Sequence, residues 1–314
     1  MRKEILPVIV GPTASGKTAA AVLVAKQLNA EVISADSIQV YRDLDIGSAK
    51  PNAAEREGIV HHMIDVVEAD EREFSVARFK ELTDVCITDI RAREKIPLVV
   101  GGTGLYINAL TFPLKFAPPP GDESIRKELE ALEAQDPGFA HRELTEVDPG
   151  SAARLHPNDK KRVIRALEVY RISGKTMSEH GADFTNQAEA EPPYPSVIVG
   201  LTMPRELLYE RIEHRVDIMV QQGLVEEVRR LYDRGLTDVL PALQALGYRQ
   251  FLRYFEGQYT LDEAIAAIKI ETRHFAKRQL TWFRRDKRIN WLDVTEFSSK
   301  QALADRISDI FEQA

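Results

Sequence analysis

Cysteine is nearly absent. Cys86 is the only one among 314 residues, which excludes a disulfide framework and a zinc site built on cysteines. Long apolar runs are missing as well: no stretch approaches the roughly 18 consecutive apolar residues of a membrane span, so no membrane partner is expected. Internal repeats and low-complexity tracts do not occur. An excess of positive charge is also lacking, the formal net charge being -7. That average disfavours a polyanionic partner, although local patches govern such binding. What is left, 44% hydrophobic and 29% charged residues, is the composition of one large globular domain or two smaller ones. The cytoplasm is the expected compartment. The start "MRKEILPVIVG" runs into a glycine loop without a small-residue cleavage site, and is expected to be a buried first strand, not a leader.

Strand and helix patterns alternate over the first third. "ILPVIVG", "AEVISAD" and "IPLVVGGTG" are apolar runs suited to buried parallel strands, and "KTAAAVLVAKQLN" and "SVARFKELTDVCITDIRAREK" read as helices. Ser75 is the expected N-cap of the second. This order predicts an α/β fold with a parallel sheet and helices on both faces. Ligands of such sheets bind beyond the carboxyl ends of the strands, where the loops bearing Lys17, Asp36 and Thr103 lie. A proline break at "FAPPPGDES" and a polar linker at "GADFTNQAEAEPPYP" bracket helical patterns, so an all-helical insertion over 118–194 is expected inside a core of 1–117 and 195–314. "SVIVGLTM" reads as a strand rejoining the sheet, the last third as mostly helix, and "RINWLDV" as a short strand.

"GPTASGKT", residues 11–18, fits G-x-x-x-x-G-K-[ST] at every fixed position and stands between a strand and a helix. A chance match in the chain is on the order of 1%. Gly11 and Gly16 allow a tight turn that aims N–H groups inward. The following helix adds its positive end. Lys17 supplies a full charge, Thr13 and Ser15 supply side-chain donors, and the Thr18 hydroxyl is a Mg²⁺ ligand candidate. The pattern specifies a diphosphate or polyphosphate without specifying a nucleotide. A nucleotide hydrolase needs a strand ending in a Mg²⁺-binding acid, but "IPLVVGGTG" ends in glycines near Thr103. Asp36 reads either as a loop cap or as a general base facing the phosphates.

Two basic segments stand out: "DKKRVIRALEVYR", and "RHFAKRQLTWFRRDKR" with its interleaved aromatics. Each reads as a solvated helix face or as a nucleic-acid surface, the aromatics of the second favouring base stacking. Adjacent His61 and His62 in a strand pattern point to opposite faces and are read as structural. Cys86 is expected in packing, and Asp65 is a further carboxylate without an assigned place.

In order along the chain, "GPTASGKT", "ADSIQVYRDLDIGSAKP", "GGTGLY", "RVIRALEVY", "LYERIEHRVDIM", "ALGYRQ" and "KRQLTWFRR" resemble the tRNA dimethylallyltransferases of bacterial type. The likeness spans about residues 5–290; Ser48 stands where that family commonly has threonine, and there are no cysteines for the zinc finger of its eukaryotic members. The resemblance implies transfer of a dimethylallyl group from dimethylallyl diphosphate to N6 of the adenine 3′ of the anticodon. Diphosphate is then the leaving group, held by Gly11, Thr13, Ala14, Ser15, Gly16, Lys17, Thr18 and Arg215 with Mg²⁺. Asp36 is the implied base, with Thr103 near the same adenine. The base leaves the anticodon-loop stack to reach the pocket. The implied contacts to the tRNA anticodon stem-loop are Asp36, Ser37, Ile38, Gln39, Thr103, Lys161, Arg162, Val163, Ile164, Arg165, Arg278, Gln279 and Trp282. Trp282 reads equally as core. A monomer is expected. A small-molecule kinase using Asp36 as base, and a non-catalytic RNA-binding module, share parts of this pattern.

Overall fold

Short apolar runs and helix-period patterns alternate along the chain, and the fold follows them. The computed structural model describes residues 5–114, 121–179 and 191–314. The chain divides into two compact units, Met1–Thr111 with Pro193–Ala314, and Phe112–Pro192. The break at "FAPPP" and the linker "GADFTNQAEA" lie outside the described residues.

The first unit begins with β1 (Leu6–Val10), α1 (Lys17–Gln27), β2 (Ala30–Ala35), the short α2 (Ala53–Arg56), β3 (His61–His62), α3 (Val76–Ala92), β4 (Ile96–Gly101) and α4 (Gly104–Thr111). The second unit contributes α5 (Glu123–Gln135), α6 (Phe139–Val147), α7 (Pro149–Arg154) and α8 (Lys160–Ser173). The first unit resumes with β5 (Ser196–Thr202), α9 (Arg205–Gln221), α10 (Leu224–Asp233), α11 (Tyr248–Phe255), α12 (Leu261–Phe283), β6 (Ile289–Asp293) and α13 (Lys300–Glu312).

The six strands form one parallel sheet in the order β3-β2-β4-β1-β5-β6. Val8 of β1 stands between Val99 of β4 and Ile198 of β5. Side chains alternate across the strand, so β1 feeds two cores. Leu6, Val8 and Val10 pack with Phe79, Ile87, Tyr106, Ile107, Leu110 and Phe283 on one face. Ile9 packs on the other with Ala20, Ala21 and Val24 of α1 and Leu303, Ile307 and Phe311 of α13. Helices therefore cover both faces. The chain leaves β1 for β2 by α1 on one face, and leaves neighbouring β4 through α4 on the other. Diverging connections open a crevice at the carboxyl ends of β1 and β4.

Ser75 caps α3 by accepting from the Arg78 N–H at 3.2 Å. The "HH" strand is only two residues long and pairs beside β2. Among the described residues no helix is long and apolar enough to cross a membrane.

Candidate active site

The loop after β1 is shaped by two glycines and one strained residue. A Cβ on Gly11 would stand 2.7 Å from the Leu201 carbonyl oxygen, so the loop can approach β5 only with glycine there. Gly16 adopts φ 91° and Ala14, not a glycine, φ 63°. Left-handed backbone at a non-glycine residue costs on the order of 1–3 kcal/mol and persists where the surroundings enforce it, as at ligand clamps. Inside the turn the Ser15 hydroxyl is buried without a hydrogen-bond partner among the described residues. A buried unpaired donor is costly unless something is to fill it. Lys17 opens α1 and its Nζ donates back to the Pro12 carbonyl at 2.7 Å.

Asp36 ends β2. Its Oδ1 accepts from the N–H groups of Ile38 at 2.9 Å and Gln39 at 3.4 Å. The cap and the base are therefore not alternatives: the cap fixes the carboxylate at the sheet edge. Thr103, from the loop after β4, accepts from the Ser37 N–H at 3.0 Å, and its own N–H reaches the Ala35 carbonyl at 3.2 Å. Thr103 is thus tied to the backbone on both sides of Asp36. Gln39 is engaged internally, accepting from the Ser34 hydroxyl at 2.8 Å and donating to the carbonyls of Ser48 and Ala49, each at 3.2 Å.

The electrostatics converge on the same place. Burial, and then the Arg215 guanidinium, bring the Lys17 ammonium from 10.5 down to about 7, against the opposing pull of Asp36. Burial likewise lowers Arg215, while Glu55 and Asp36 counteract it. Burial raises the Tyr106 phenol, helped by Tyr41 and Asp36. Lys17, Arg215 and Asp36 thus sense one another, although they come from α1, α9 and the end of β2. Among the described residues neither Lys17 nor Arg215 forms an ion pair. Two partly buried cations that repel each other, opposed only by Asp36 and Glu55, favour a bound anion.

The expected RNA-facing residues separate into groups. Val163 and Ile164, 1% and 5% exposed, lie in the core of the second unit with Leu129, Leu144 and Leu167. Of the expected contacts Lys161, Arg162, Val163, Ile164 and Arg165, the side chains of Val163 and Ile164 face this core, because one helical turn cannot present five consecutive side chains to one surface. Arg165 pairs at 2.7 Å with Glu168, which is fully buried, and Arg162 pairs with Asp159. The other basic segment differs. Lys277, Arg278, Arg284, Arg285 and Lys287 are exposed and, among the described residues, in no ion pair. Trp282 is half-buried against the core. Gln279 is buried, 6% exposed, with its amide spent on backbone groups of the two site loops.

The sequence reading missed Glu227. Its carboxylate, 2% exposed, accepts from the N–H groups of Asp45, Ile46 and Gly47 at 3.2, 2.8 and 3.1 Å, and from the Tyr248 hydroxyl at 2.7 Å. It thereby holds the loop that follows Asp36. The available signal was helical spacing: Leu224, Val228 and Leu231 are the buried residues of α10, and 227 falls on their face. Lys50, with a side chain 4% exposed, closes the same loop by pairing with Asp45 and Asp65. That contact gives Asp65 its structural place.

The sequence profile of the IPP transferase family matches residues 39–286. A tRNA dimethylallyltransferase of Pelotomaculum thermopropionicum is 46% identical over 307 residues, covering 98% of this chain and 96% of the relative. One of Halalkalibacterium halodurans is 47% identical over 295 residues, covering 94% and 92%. Among solved structures, a full-length tRNA isopentenylpyrophosphate transferase from Bacillus halodurans aligns with TM-score 0.73 at 43% identity, over 99% of this chain and 97% of that one. A eukaryotic dimethylallyltransferase acting on tRNA aligns with TM-score 0.81 at 32% identity, over 99% and 80%.

Proposed function

The chain belongs to the IPP transferase family, and from that premise we propose how its carboxyl-edge site carries out prenyl transfer to tRNA. The chain transfers a dimethylallyl group from dimethylallyl diphosphate to N6 of the adenine 3′-adjacent to the anticodon, releasing diphosphate. The observations that carry the site reading are the buried, unpartnered Ser15 hydroxyl in the turn and two partly buried cations, Lys17 and Arg215, that form no ion pair among the described residues and sense the capped carboxylate of Asp36.

The diphosphate occupies the loop of Gly11, Thr13, Ala14, Ser15, Gly16, Lys17 and Thr18, which acts as a phosphate-binding loop. The Ser15 hydroxyl gains its missing partner, and Lys17 exchanges the Pro12 carbonyl for phosphate oxygen. As the allylic C–O bond breaks, its electron pair leaves with the diphosphate, and Lys17 and Arg215 stabilise the growing negative charge. N6 of adenine is a weak nucleophile because its lone pair is delocalised into the ring. Its bond to the allylic carbon forms as Asp36 takes its proton. The hydrogen bonds to Ile38 and Gln39 keep that carboxylate oriented, and Thr103 borders the adenine side.

Mg²⁺ fits the donor set as a substrate-borne ion. Among the described residues no cluster of three or more His, Cys, Asp or Glu side chains could hold a metal. Magnesium with phosphate substrates typically takes only one or two protein ligands, and the Thr18 hydroxyl at the loop's end would serve. When bound, the ion would screen the charge of the departing diphosphate. The exposed cations of 277–287 suit the backbone of an anticodon stem-loop, with affinity falling steeply as salt rises.

The test is incubation with labelled dimethylallyl diphosphate and unmodified tRNA, and separately with labelled ATP. Prenyl label on the RNA is expected. Phosphoryl transfer from ATP without prenylation would overturn the reading.

A further inference from the structure

We infer that Gln279 is a positioning residue that locks the phosphate-binding loop to the adenine-side loop; the inference rests on the proposed roles of those two loops. Gln279 lies on the inner face of α12 and is 6% exposed. Its Oε1 accepts from the Thr13 N–H at 2.9 Å, and its Nε2 donates to the Gly102 carbonyl at 2.9 Å. One side-chain amide thus bridges the loops after β1 and β4, the two strands that flank the crevice.

Three observations show that the bridge is built in. A Cβ on Gly102 would stand 2.3 Å from Gln279 Nε2, so the amide reaches its acceptor only over a bare backbone. Almost one turn later on α12, Trp282 packs on Gly104, where a Cβ would stand 2.2 Å from its Cδ1. The helix therefore rests on "GGTG" through two side chains three residues apart, on one face. Finally, Thr13 immediately precedes Ala14, the residue held at φ 63°. A strained conformation needs neighbours that over-determine it, and the Gln279 acceptor fixes the Pro12–Thr13 peptide, one residue before it.

The amide is the side chain suited to this task. It offers one acceptor and one donor in a fixed plane, matching one backbone N–H and one backbone carbonyl. Glutamate would keep the acceptor for Thr13 but set an anionic oxygen against the Gly102 carbonyl. A residue in this position acts on the diphosphate through the loop without touching RNA, although its helix bears the exposed Lys277 and Arg278 on the outer side.

Three variants test the assignment: Gln279→Glu, Gln279→Leu and, from the opposite side of the contact, Gly102→Ala. Losing one buried hydrogen bond of this kind is expected to raise the KM for dimethylallyl diphosphate and the Kd for inorganic pyrophosphate with Mg²⁺ about tenfold. The Kd for an unmodified anticodon stem-loop should stay within about twofold. Hydrogen exchange at the Thr13 amide should accelerate in Gln279→Leu and in Gly102→Ala, where the acceptor is removed or displaced, and this readout needs no ligand. If the wild type bound pyrophosphate but transferred no prenyl group, the proposed reaction would fail, and the exchange rate at Thr13 would still decide the clamp. Gln279→Glu and Gly102→Ala address the case in which Gln279→Leu does not fold. Weakened RNA binding with unchanged KM and unchanged Thr13 exchange would overturn the inference and return Gln279 to the RNA surface.

Discussion

The two ends of the sheet handle charge in opposite ways. At the amino end, Glu31 of β2 is 3% exposed, and its carboxylate accepts from His62 at 2.7 Å, Arg93 at 2.7 Å and Lys95 at 3.0 Å. Burial alone would raise its proton affinity. The hydrogen bonds from Arg93, His62 and Lys95 outweigh it and hold the carboxyl at about 2. At the carboxyl end, Lys17 and Arg215 are partly buried, repel each other, and have no ion-pair partner among the described residues. The sheet and its burial are common to both ends; the pairing is not. A charge matched by its neighbours stabilises the fold, whereas a partly desolvated surplus carries a cost that a ligand of opposite charge would relieve.

The contrast would break most visibly at Asp36. Asp36→Asn keeps a side-chain oxygen for the caps to Ile38 and Gln39 but removes the base. Transfer is expected to fall about 10²–10⁴-fold with RNA affinity retained, as single-turnover kinetics and filter binding would measure. Full activity would reduce Asp36 to a cap. Next in size, Lys17→Ala and Arg215→Ala should each lower kcat about 10²–10³-fold, as for lost donors to a developing anion. Both should also raise the KM for the diphosphate substrate. An Arg215 variant with normal steady-state kinetics would place that cation outside the reaction.

Glu31→Gln supplies the opposite outcome. It should cost about 1–3 kcal/mol of stability and leave kcat per folded molecule unchanged; a loss of turnover in the folded variant would erase the distinction between the ends. The wild-type contribution of Glu31 is fully present above its ordinary value of 4.5 and is lost as pH falls towards about 2. An acid-unfolding profile of wild type against Glu31→Gln reads that window.

The smallest expected effect is protonic. Burial and Arg215 bring the Lys17 amine down to about 7, so a neutral fraction is expected at about pH 8, and an arriving anion should restore its charge. Pyrophosphate binding at that pH should take up a fraction of one proton. Calorimetry in buffers of different ionisation enthalpy measures the uptake, and Lys17→Ala should abolish it.

Local pattern made much of this legible. The apolar runs of β1, β2, β4 and β5 and the loop motif are strings in which neighbours along the chain determine the outcome. Glu227 escaped notice because its partners, Asp45, Ile46 and Gly47, are about 180 residues away in sequence, and a lone acid on a helix resembles a surface residue until its face is known. Val163 and Ile164 were grouped with arginines because a motif is linear, while a helix sorts adjacent residues to different sides.

By itself, the sequence determined the parallel α/β plan, the glycine-rich loop after β1 and the identity of the acid just after β2, since each is written in contiguous residues. Only the tertiary structure decided that Lys17, Arg215 and Asp36 share one space, that Glu227 braces the loop beside them, and that Gln279 turns inward to join two loops. Such pairings depend on which helix faces meet across the crevice, and that is set by packing over hundreds of residues of separation.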